Sequence, residues 1–291
     1  MFWLPLTLLC AFSLATSDAL VKKLFPHRDA VAVAWLRLLP GVPLLWALVA
    51  LQRPPAPGAD FYWATALAVP LDTVALVLYI RAIQASPLSM TLPLLAVTPA
   101  LLLIIPAALL GERLSAAGAA GVLLISLGCY ALNIGEARRG FLEPLRALAR
   151  ERGARLMLAV AVIYSLTSTL GKIGVTAASP LLFGAAYFTA MCALVTPFAL
   201  AGRSRSALAA IRRELGPGRA LLPGLVYGAM IVFHLLALSL APVAYMIAVK
   251  RLSLLIGVLY GRFLFGEGRF RERLAGAVLM LAGVLLIGLF P

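Results

Sequence analysis

Long apolar stretches separated by short polar connections run the length of the chain. Each stretch holds about 20 residues with few charges, the length that an α-helix needs to cross the hydrocarbon core of a bilayer. The pattern predicts ten membrane-crossing helices, at residues 3–21, 30–51, 61–82, 87–110, 116–133, 156–177, 181–201, 220–240, 242–265 and 274–290. The predicted fold class is therefore an all-α polytopic membrane protein.

One stretch, Pro87 to Gly128, occurs twice, and the second copy lies 155 residues further on, from Pro242 to Gly283. An internal repeat of this length organises the whole fold. Paired landmarks keep the same register without a gap: Pro87 with Pro242, Gly111 with Gly266, Glu112 with Glu267, Gly121 with Gly276 and Gly128 with Gly283. The repeat predicts two related domains, residues 1–140 and 155–291. Residues 141–154 join them, where leucines and arginines alternate at helical spacing and predict an amphipathic helix on the membrane surface.

Five helices per half is an odd number, so equivalent halves must be inverted relative to each other, as in many secondary transporters. The charges agree with this prediction. Connections after the odd-numbered helices carry 19 Lys and Arg residues, and those after the even-numbered helices carry three. The positive-inside rule then places the odd connections in the cytoplasm and both termini outside the cell.

Composition narrows the class of protein further. Hydrophobic residues make up 63% of the chain and charged residues 12%, more apolar surface than a soluble domain of this length could bury. The net charge of +14 would fit nucleic-acid binding in a soluble protein. Here the basic residues sit mostly in short connections, so membrane orientation explains them and no nucleic-acid partner is predicted. The three cysteines lie inside apolar runs without metal or disulfide spacing, and no metal or cofactor is predicted.

The segment LYIRAIQASPLSMTLPLLAVTPALLLIIPAALLGERLSAAGAAGVLLISLG resembles the repeat of EamA-type proteins in the drug/metabolite transporter superfamily. The shared positions are Ala82, Ala85 and Pro87, then Thr98-Pro99, then Gly111-Glu112-Arg113. The second half departs from the pattern at Ser253-Leu254 and Gly268. The resemblance implies ten helices, an inverted five-plus-five repeat and a central substrate cavity between the repeats. It does not name a substrate, because the family handles amino acids, other metabolites and drugs.

The repeated turns have a structural interpretation. Gly111 and Gly266 are expected to cap helices in the left-handed conformation. Glu112 and Glu267 are expected to lie at the N-terminus of the helix that follows each of them. The remaining repeated glycines are expected to let helices pack closely, since small residues drive helix contact in lipid.

Ionisable residues inside the membrane are costly and usually functional. Asp72 is predicted near the middle of its helix, Lys250 and Arg251 eight and nine residues into theirs, and His234 in the outer half of the membrane. His234 is either a ligand or a hydrogen-bonded packing residue. Four further charges have simpler explanations: an Asp18–Lys22 pair one turn apart, and snorkelling of Arg37 and Lys172 to the membrane surface.

The adjacent cations Lys250 and Arg251 cannot both face lipid without a large cost. Asp72 could balance one of them, and an anionic ligand would satisfy the other. The pair also resembles the Lys-Arg pair of the plastid sugar-phosphate translocators of the same superfamily, which implies anion binding. The first repeat has Leu95 and Ala96 at these positions. The alternative is a salt-bridge network that only holds helices together.

Hydroxyl-bearing residues accompany these charges. They line a cavity in one interpretation and only bond across helices in the other. They are Ser13, Thr16, Ser17, Tyr79, Tyr164, Ser165, Thr167, Ser168, Thr169, Tyr227 and Tyr245. We predict substrate binding by Lys250, Arg251, Asp72, His234, Tyr79, Tyr245 and Ser168.

The sequence thus predicts a secondary transporter of the cytoplasmic (inner) membrane. It would move a small organic solute, preferably anionic, by alternating access. The alternative is an exporter of amino acids, neutral metabolites or drugs in which Lys250 and Arg251 are structural. A receptor or a membrane enzyme is a third class, but no nucleophile–base pair supports catalysis, and no oligomeric state is predicted.

Overall fold

The computed structural model describes residues 2–26, 28–52, 54–85, 92–134, 150–265 and 274–290, and every regular element in these ranges is helical. A 3-10 helix covers Leu92–Ala96. The α-helices are α1 (Trp3–Leu24), α2 (Ala30–Leu38), α3 (Gly41–Gln52), α4 (Ala59–Ala85), α5 (Val97–Leu101), α6 (Ile105–Leu110), α7 (Ala116–Ile134), α8 (Arg152–Ala177), α9 (Pro180–Ala199), α10 (Gly202–Leu240), α11 (Val243–Lys250), α12 (Leu252–Phe265) and α13 (Leu274–Leu289).

Ten apolar helical stretches lie in this part of the chain. Seven are long and apolar enough to cross a membrane: Trp3–Leu24, Ala30–Gln52, Ala59–Ala82, Arg152–Ala177, Pro180–Ala199, Gly202–Leu240 and Val243–Leu264. Three are shorter, Leu94–Leu110, Ala116–Leu132 and Ala275–Leu289. The helical class and the multi-pass membrane character are those that the hydrophobic pattern predicts.

Three of the predicted helices are interrupted, which the apolar pattern does not reveal. The helix predicted at 30–51 breaks between α2 and α3, next to Pro40. Within the one predicted at 87–110, residues 92–110 form a 3-10 helix followed by α5 and α6, and Pro99 and Pro106 lack the N–H that a continuous helix requires. The helix predicted at 242–265 breaks at Arg251 without a proline. The apolar pattern gives the extent of a membrane segment and does not show whether its helix is continuous.

The basic connection predicted at 202–219 is not a loop. Its residues form the first part of α10, which bends at Gly216 with φ 71°. Ser204 and Ile211 face the protein, whereas Arg203, Arg205, Arg212 and Arg213 are exposed. The prediction was wrong because charge was taken as a sign of a loop, although the spacing of the buried residues is helical.

The chain divides into two compact units, and neither equals one predicted repeat. Unit 1 contains residues 1–77 and 170–240, and unit 2 contains residues 78–169 and 241–291. In unit 1, α1 packs along α10, and α9 packs against α2 and α3. In unit 2, α7 packs along α13.

The contact between α7 and α13 depends on glycines. A Cβ atom on Gly121 would lie 2.7 Å from the carbonyl oxygen of Gly283, and one on Gly128 would lie 2.7 Å from that of Gly276. The expected close-packing role of these glycines is therefore confirmed. The pairing of 121 with 283 and 128 with 276 makes the two helices antiparallel. The repeat offset of 155 maps Gly121 onto Gly276 and Gly128 onto Gly283. The two contacts are therefore equivalent positions of the repeat.

The first Gly-Glu turn agrees with expectation in one residue and differs in the other. Gly111 caps α6 in the left-handed conformation, with φ 67°. The Glu112 carboxylate accepts the backbone N–H of Val243 at 3.0 Å, so it caps α11, a helix 131 residues away, rather than the helix that follows it. The expected partner was wrong because it was chosen by its proximity to Glu112 along the chain. Pro87, Gly266, Glu267, Gly268 and most of the predicted linker 141–154 lie outside the described residues.

Candidate functional site

Unit 1 contains a buried arginine whose partners come from other helices. Arg37 on α2 is 4% exposed, so the predicted snorkelling is wrong. Its Nη2 donates to the Asp18 Oδ1 of α1 at 2.6 Å. The guanidinium also lies 4.3 Å from the ring centre of Tyr227 on α10, a cation–π contact.

Asp72 belongs to the same region of unit 1. Its Oδ2 accepts the hydroxyl proton of Tyr187, on α9, at 2.7 Å. Tyr227 interacts electrostatically with Arg37, Asp72 and Asp18. We call these five residues, from five helices, the Arg37 cluster: Asp18, Arg37, Asp72, Tyr187 and Tyr227.

Two other polar residues of unit 1 lie on neighbouring helices. His234 is half-buried on α10, seven residues after Tyr227. The Lys172 ammonium donates to the carbonyl oxygens of Leu238 and Ser239 at 2.7 and 3.4 Å, so it binds the C-terminal end of α10 instead of snorkelling. Among the residues described, no three His, Cys, Asp or Glu side chains group closely enough to hold a metal ion.

Unit 2 contains a different kind of cation. Arg251 is partly buried at the break between α11 and α12, and its Nε is inaccessible and has no hydrogen-bond partner within the described ranges. The groups that interact with its charge are Cys129, Tyr79 and Tyr164, so no carboxylate among the described residues balances it. Charge in such a setting is costly unless a partner supplies hydrogen bonds.

The remaining predicted site residues of unit 2 lie on three helices. Tyr79 on α4 and Tyr164 on α8 are half-buried and pack against one apolar cluster. Lys250, also half-buried, is the last residue of α11. Tyr245 is 2% exposed, and its hydroxyl lies against Gly118, where a Cβ atom would collide with it. Ser168 is half-buried on α8.

The break at Arg251 has a counterpart in the first repeat. Arg251 stands 155 residues after Ala96, and Ala96 is the junction between the 3-10 helix and α5. Both copies are therefore interrupted at the same repeat position. The first copy fills it with buried Leu95 and Ala96, which are 2% and 6% exposed, and the second with two cations. Interrupted helices are typical of binding sites in secondary transporters.

The Thr-Pro pair of the repeat also has a defined place. Thr98 is fully buried, and its Oγ1 donates to the carbonyl oxygen of Ala161 on α8 at 3.2 Å. The hydroxyl thus holds α5 against α8 beside the interruption. In the second copy Ser253 occupies this position and is buried as well.

Arg251 interacts electrostatically with Tyr79 in unit 2, and Asp72, Asp18 and Arg37 each interact with Tyr227 in unit 1. Sequence reasoning overlooked Arg37, Asp18 and Tyr187 as members of a site. A usable signal existed for Arg37. It lies seven residues into an apolar helix, nearly as deep as Lys250 in its own, and the rule applied to Lys250 would have singled it out.

These features define a multi-pass helical membrane protein with polar groups held inside its bundles, the class to which transporters belong. The sequence profile described as "EamA-like transporter family" matches residues 1–134 and 151–289. The chain therefore belongs to the EamA-like transporter family of the drug/metabolite transporter superfamily, and the resemblance read from its repeat is confirmed.

A chain of known structure, described as "Crystal structure of protein", shares this fold. The two chains are 17% identical, with a TM-score of 0.70 over 99% of each. At this identity the likeness shows the fold alone. No curated protein matches the chain.

Proposed function

We propose that the protein is a secondary transporter that moves a small organic anion across the cytoplasmic membrane. In this proposal Lys250 and Arg251 bind the anionic group, and Tyr79, Tyr245 and Ser168 contribute aromatic surface and hydroxyls. The observation that carries the proposal is the Nε of Arg251, inaccessible and without a hydrogen-bond partner in the described part of the chain. A bound carboxylate or phosphate would supply both the missing hydrogen bond and the missing negative charge.

Alternating access through a central cavity is the proposed mechanism, with ten membrane helices in two inverted repeats. The antiparallel contact of α7 with α13 supports the inverted arrangement, since these two helices occupy equivalent repeat positions. The matching interruptions at Ala96 and Arg251 support it as well. Inverted repeats with discontinuous helices are the usual plan of such carriers.

Both termini are proposed to face the outside of the cell, on the distribution of Lys and Arg among the connections. Reporter fusions to Pro291 test the orientation. A reporter that is active only outside the cytoplasm supports it, and one active only in the cytoplasm contradicts it.

The energetics depend on direction. An anion that leaves a cell with a negative interior gains about 2.3 kcal/mol per charge per 100 mV, so export requires no other driving force. Import requires an exchanged anion or co-transported protons, for which Asp72 and His234 are the proposed carriers.

Flux into proteoliposomes tests the anion site. Organic anions, cations and zwitterions are assayed with the wild type, Lys250→Gln, Arg251→Gln and Arg262→Gln. Arg262 is an exposed arginine on α12, the helix that begins one residue after Arg251, so it controls for loss of positive charge. We expect anion flux that is lost in the first two variants and kept in the third, with all four proteins folded.

Two other outcomes overturn the proposed site. In the first, both variants transport anions normally, or the wild type transports only neutral and zwitterionic compounds. The protein is then an exporter of amino acids, neutral metabolites or drugs with a structural Lys250–Arg251 pair. If no compound crosses in any preparation, a receptor or an enzyme replaces the transporter.

A further inference from the structure

The first part of α10, residues 202–215, is an amphipathic helix of unit 1. Most of its buried and half-buried positions fall at i, i+3, i+4, i+7 and i+11, the spacing of one helix face. They are Ser204, Ala207, Leu208, Ile211 and Leu215. The exposed positions between them include four arginines, Arg203, Arg205, Arg212 and Arg213. One face of this helix therefore packs on the protein, and the rest presents positive charge to the surroundings.

Two side-chain contacts fix the place of this helix in unit 1. The Ser204 hydroxyl donates to Asp29 Oδ1 at 2.7 Å, and the Glu214 carboxylate forms an ion pair with Arg28. Asp29 and Arg28 lie in the connection between α1 and α2. Residues 202–215 therefore cover the end of the helix bundle at which α1 ends and α2 begins.

Further cations lie at the same end. The Ser17 hydroxyl of α1 donates to the Pro223 carbonyl oxygen at 2.9 Å, and this contact together with the Arg28–Glu214 pair shows that α1 runs antiparallel to α10. The last turn of α1 therefore brings exposed lysines to the start of α10. The cations of this end are Lys22, Lys23, Arg28, Arg203, Arg205, Arg212, Arg213 and Arg219. The carboxylates in contact with residues of the helix are Asp29 and that of Glu214 itself, so positive charges exceed negative ones by six.

Apolar surface adjoins these cations on both sides along the chain. Phe198 and Leu200 are exposed just before residues 202–215, and Leu222 is exposed just after Arg219. Large exposed apolar side chains on a multi-pass membrane protein face the lipid tails. Arg219 and Leu222 are three residues apart, which is about 4.5 Å along a helix. The cations therefore lie next to the hydrocarbon boundary, in the layer that lipid headgroups occupy.

We propose that this basic end of unit 1, formed by the exposed lysines of α1 and the exposed arginines of α10, binds the phosphate groups of anionic membrane lipids. Guanidinium groups bind phosphate oxygens through paired N–H donors. A basic amphipathic helix beside a membrane-crossing segment is typical of surfaces that bind anionic lipids. The proposal needs the membrane character of the protein and not its transport activity, so it stands apart from the anion site of unit 2.

Charge and position together favour a lipid over a soluble partner. The excess of positive charge at the basic end repels itself, which opposes compact packing. Anionic headgroups neutralise this charge without leaving the layer in which the arginines already lie. A nucleic acid or an acidic protein, in contrast, would have to displace the headgroups to reach arginines one turn away from the lipid tails.

Fluorescence quenching on the full-length protein in lipid vesicles tests the proposal. The dye is attached through Ser206→Cys, an exposed position among the arginines, because Cys10, Cys129 and Cys192 are buried. The vesicles are phosphatidylcholine with an equal small fraction of nitroxide-labelled phosphatidylglycerol or nitroxide-labelled phosphatidylcholine. We expect labelled phosphatidylglycerol to be enriched near the dye by about fivefold or more, the factor for one cation at an anionic membrane surface.

Substitution of three arginines near the dye tests whether they cause the enrichment. Arg205→Gln, Arg212→Gln and Arg213→Gln in one protein should abolish the enrichment. The same three positions changed to lysine keep the charge and should keep most of the enrichment. In the labelled protein without these changes, 1 M salt should also reduce the enrichment, because it shortens the Debye length to about 3 Å.

A matched control separates the basic end from the total charge of the protein. Arg81→Gln, Arg113→Gln and Arg262→Gln in one protein remove the same charge from exposed positions of unit 2. The enrichment near the dye should persist in this protein. An equal loss in the control would assign the preference to net charge alone and overturn the proposal.

Three other results overturn the proposal. Equal quenching by the two labelled lipids leaves the basic end to a soluble partner. Enrichment that survives the three glutamines, or that is insensitive to salt if the glutamine variant does not fold, removes the role of the arginines. Enrichment that inorganic phosphate abolishes, when chloride of equal ionic strength does not, assigns the surface to a free anion instead of a lipid.

Discussion

Arg37 in unit 1 and Arg251 in unit 2 are both arginines inside apolar helices, yet their surroundings differ. Arg37 is buried against a carboxylate at 2.6 Å and a tyrosine ring at 4.3 Å. Arg251 lies among two tyrosines and a cysteine, and no carboxylate of the described chain lies beside it. The first arginine has a carboxylate partner within the protein, and the second has none among the described residues.

The difference teaches how to separate structural charge from binding charge. A partnered arginine stabilises the fold, since removing it strands its carboxylate. An arginine without a carboxylate brings the cost of burying its charge and no ion pair to offset that cost. Depth in the membrane, the criterion applied to the sequence, does not distinguish the two cases.

The largest expected effect comes from exchanging each arginine for glutamine. Arg37→Gln should lower the free energy of unfolding by about 3 kcal/mol, the lower end for a broken buried ion pair, because Asp18 keeps partial exposure. Arg251→Gln should leave the free energy of unfolding unchanged or raise it, because it removes an uncompensated charge. Denaturant unfolding in detergent measures both variants side by side. Equal destabilisation of both proteins would abolish the distinction.

Glycine packing provides the next test. Gly121→Val should destabilise unit 2 by about 2 kcal/mol, because the new side chain meets the Gly283 carbonyl oxygen and Ile287 of α13. Gly288→Val on α13 is the control, since no atom lies within 4 Å of its Cβ position. Thermal unfolding compares the two. Comparable melting temperatures would show that α7 and α13 do not depend on the close contact.

Each unit also places a carboxylate at a helix N-terminus, and Glu112 is the one in unit 2. Glu112→Gln should cost about 1 kcal/mol, since the amide binds the Val243 N–H without the charge that favours the N-terminus of α11. The adjacent exposed Arg113→Gln is the control. Hydrogen exchange at the start of α11 should become faster only in Glu112→Gln. Equal exchange in both would leave Glu112 without a capping role.

The corresponding carboxylate of unit 1, Asp29, gives the smallest effect. Burial acts to raise the pKa of Asp29. Hydrogen bonds from Ser204, Ala32 and Val31, and the charge of Arg203, outweigh burial and lower the pKa below 3.8. A lowered pKa stabilises the fold above the ordinary value, and this stabilisation is lost as pH falls through the folded-state pKa.

Asp29→Asn should therefore remove a small part of the acid sensitivity. The difference in unfolding free energy between wild type and variant should be constant above pH 3.8 and shrink below it. Urea unfolding across this range measures that difference. A gap that widens with acid would contradict the assigned sign.

Much of the fold could be predicted from the sequence because a bilayer demands long apolar helices. The ends of α4, α7 and α13 fall within a few residues of prediction. The breaks at Arg251 and at Pro40 were not predicted, because an apolar pattern gives the extent of a membrane segment and not the continuity of its helix. The long-range cap on α11 was equally hidden, since it joins residues far apart in the chain.

The candidate site was predictable in part for a related reason. Lys250, Arg251 and Asp72 stand out as charges in apolar runs, and burial cost alone identifies them. Their partners do not stand out. The Tyr187 hydroxyl and the Asp18 carboxylate acquire meaning only when α9 lies against Asp72 and α1 against Arg37.

The sequence by itself determined the membrane class, the internal repeat, the family and the charged positions that need explaining. These follow from composition, period and spacing, which are local properties of the chain. The tertiary structure alone decided which carboxylate meets which cation, where the helices break and which residues make up each compact unit. The physical reason is that ion pairs, caps and close helix contacts join residues distant in sequence, and only packing selects among the partners that each charge could have.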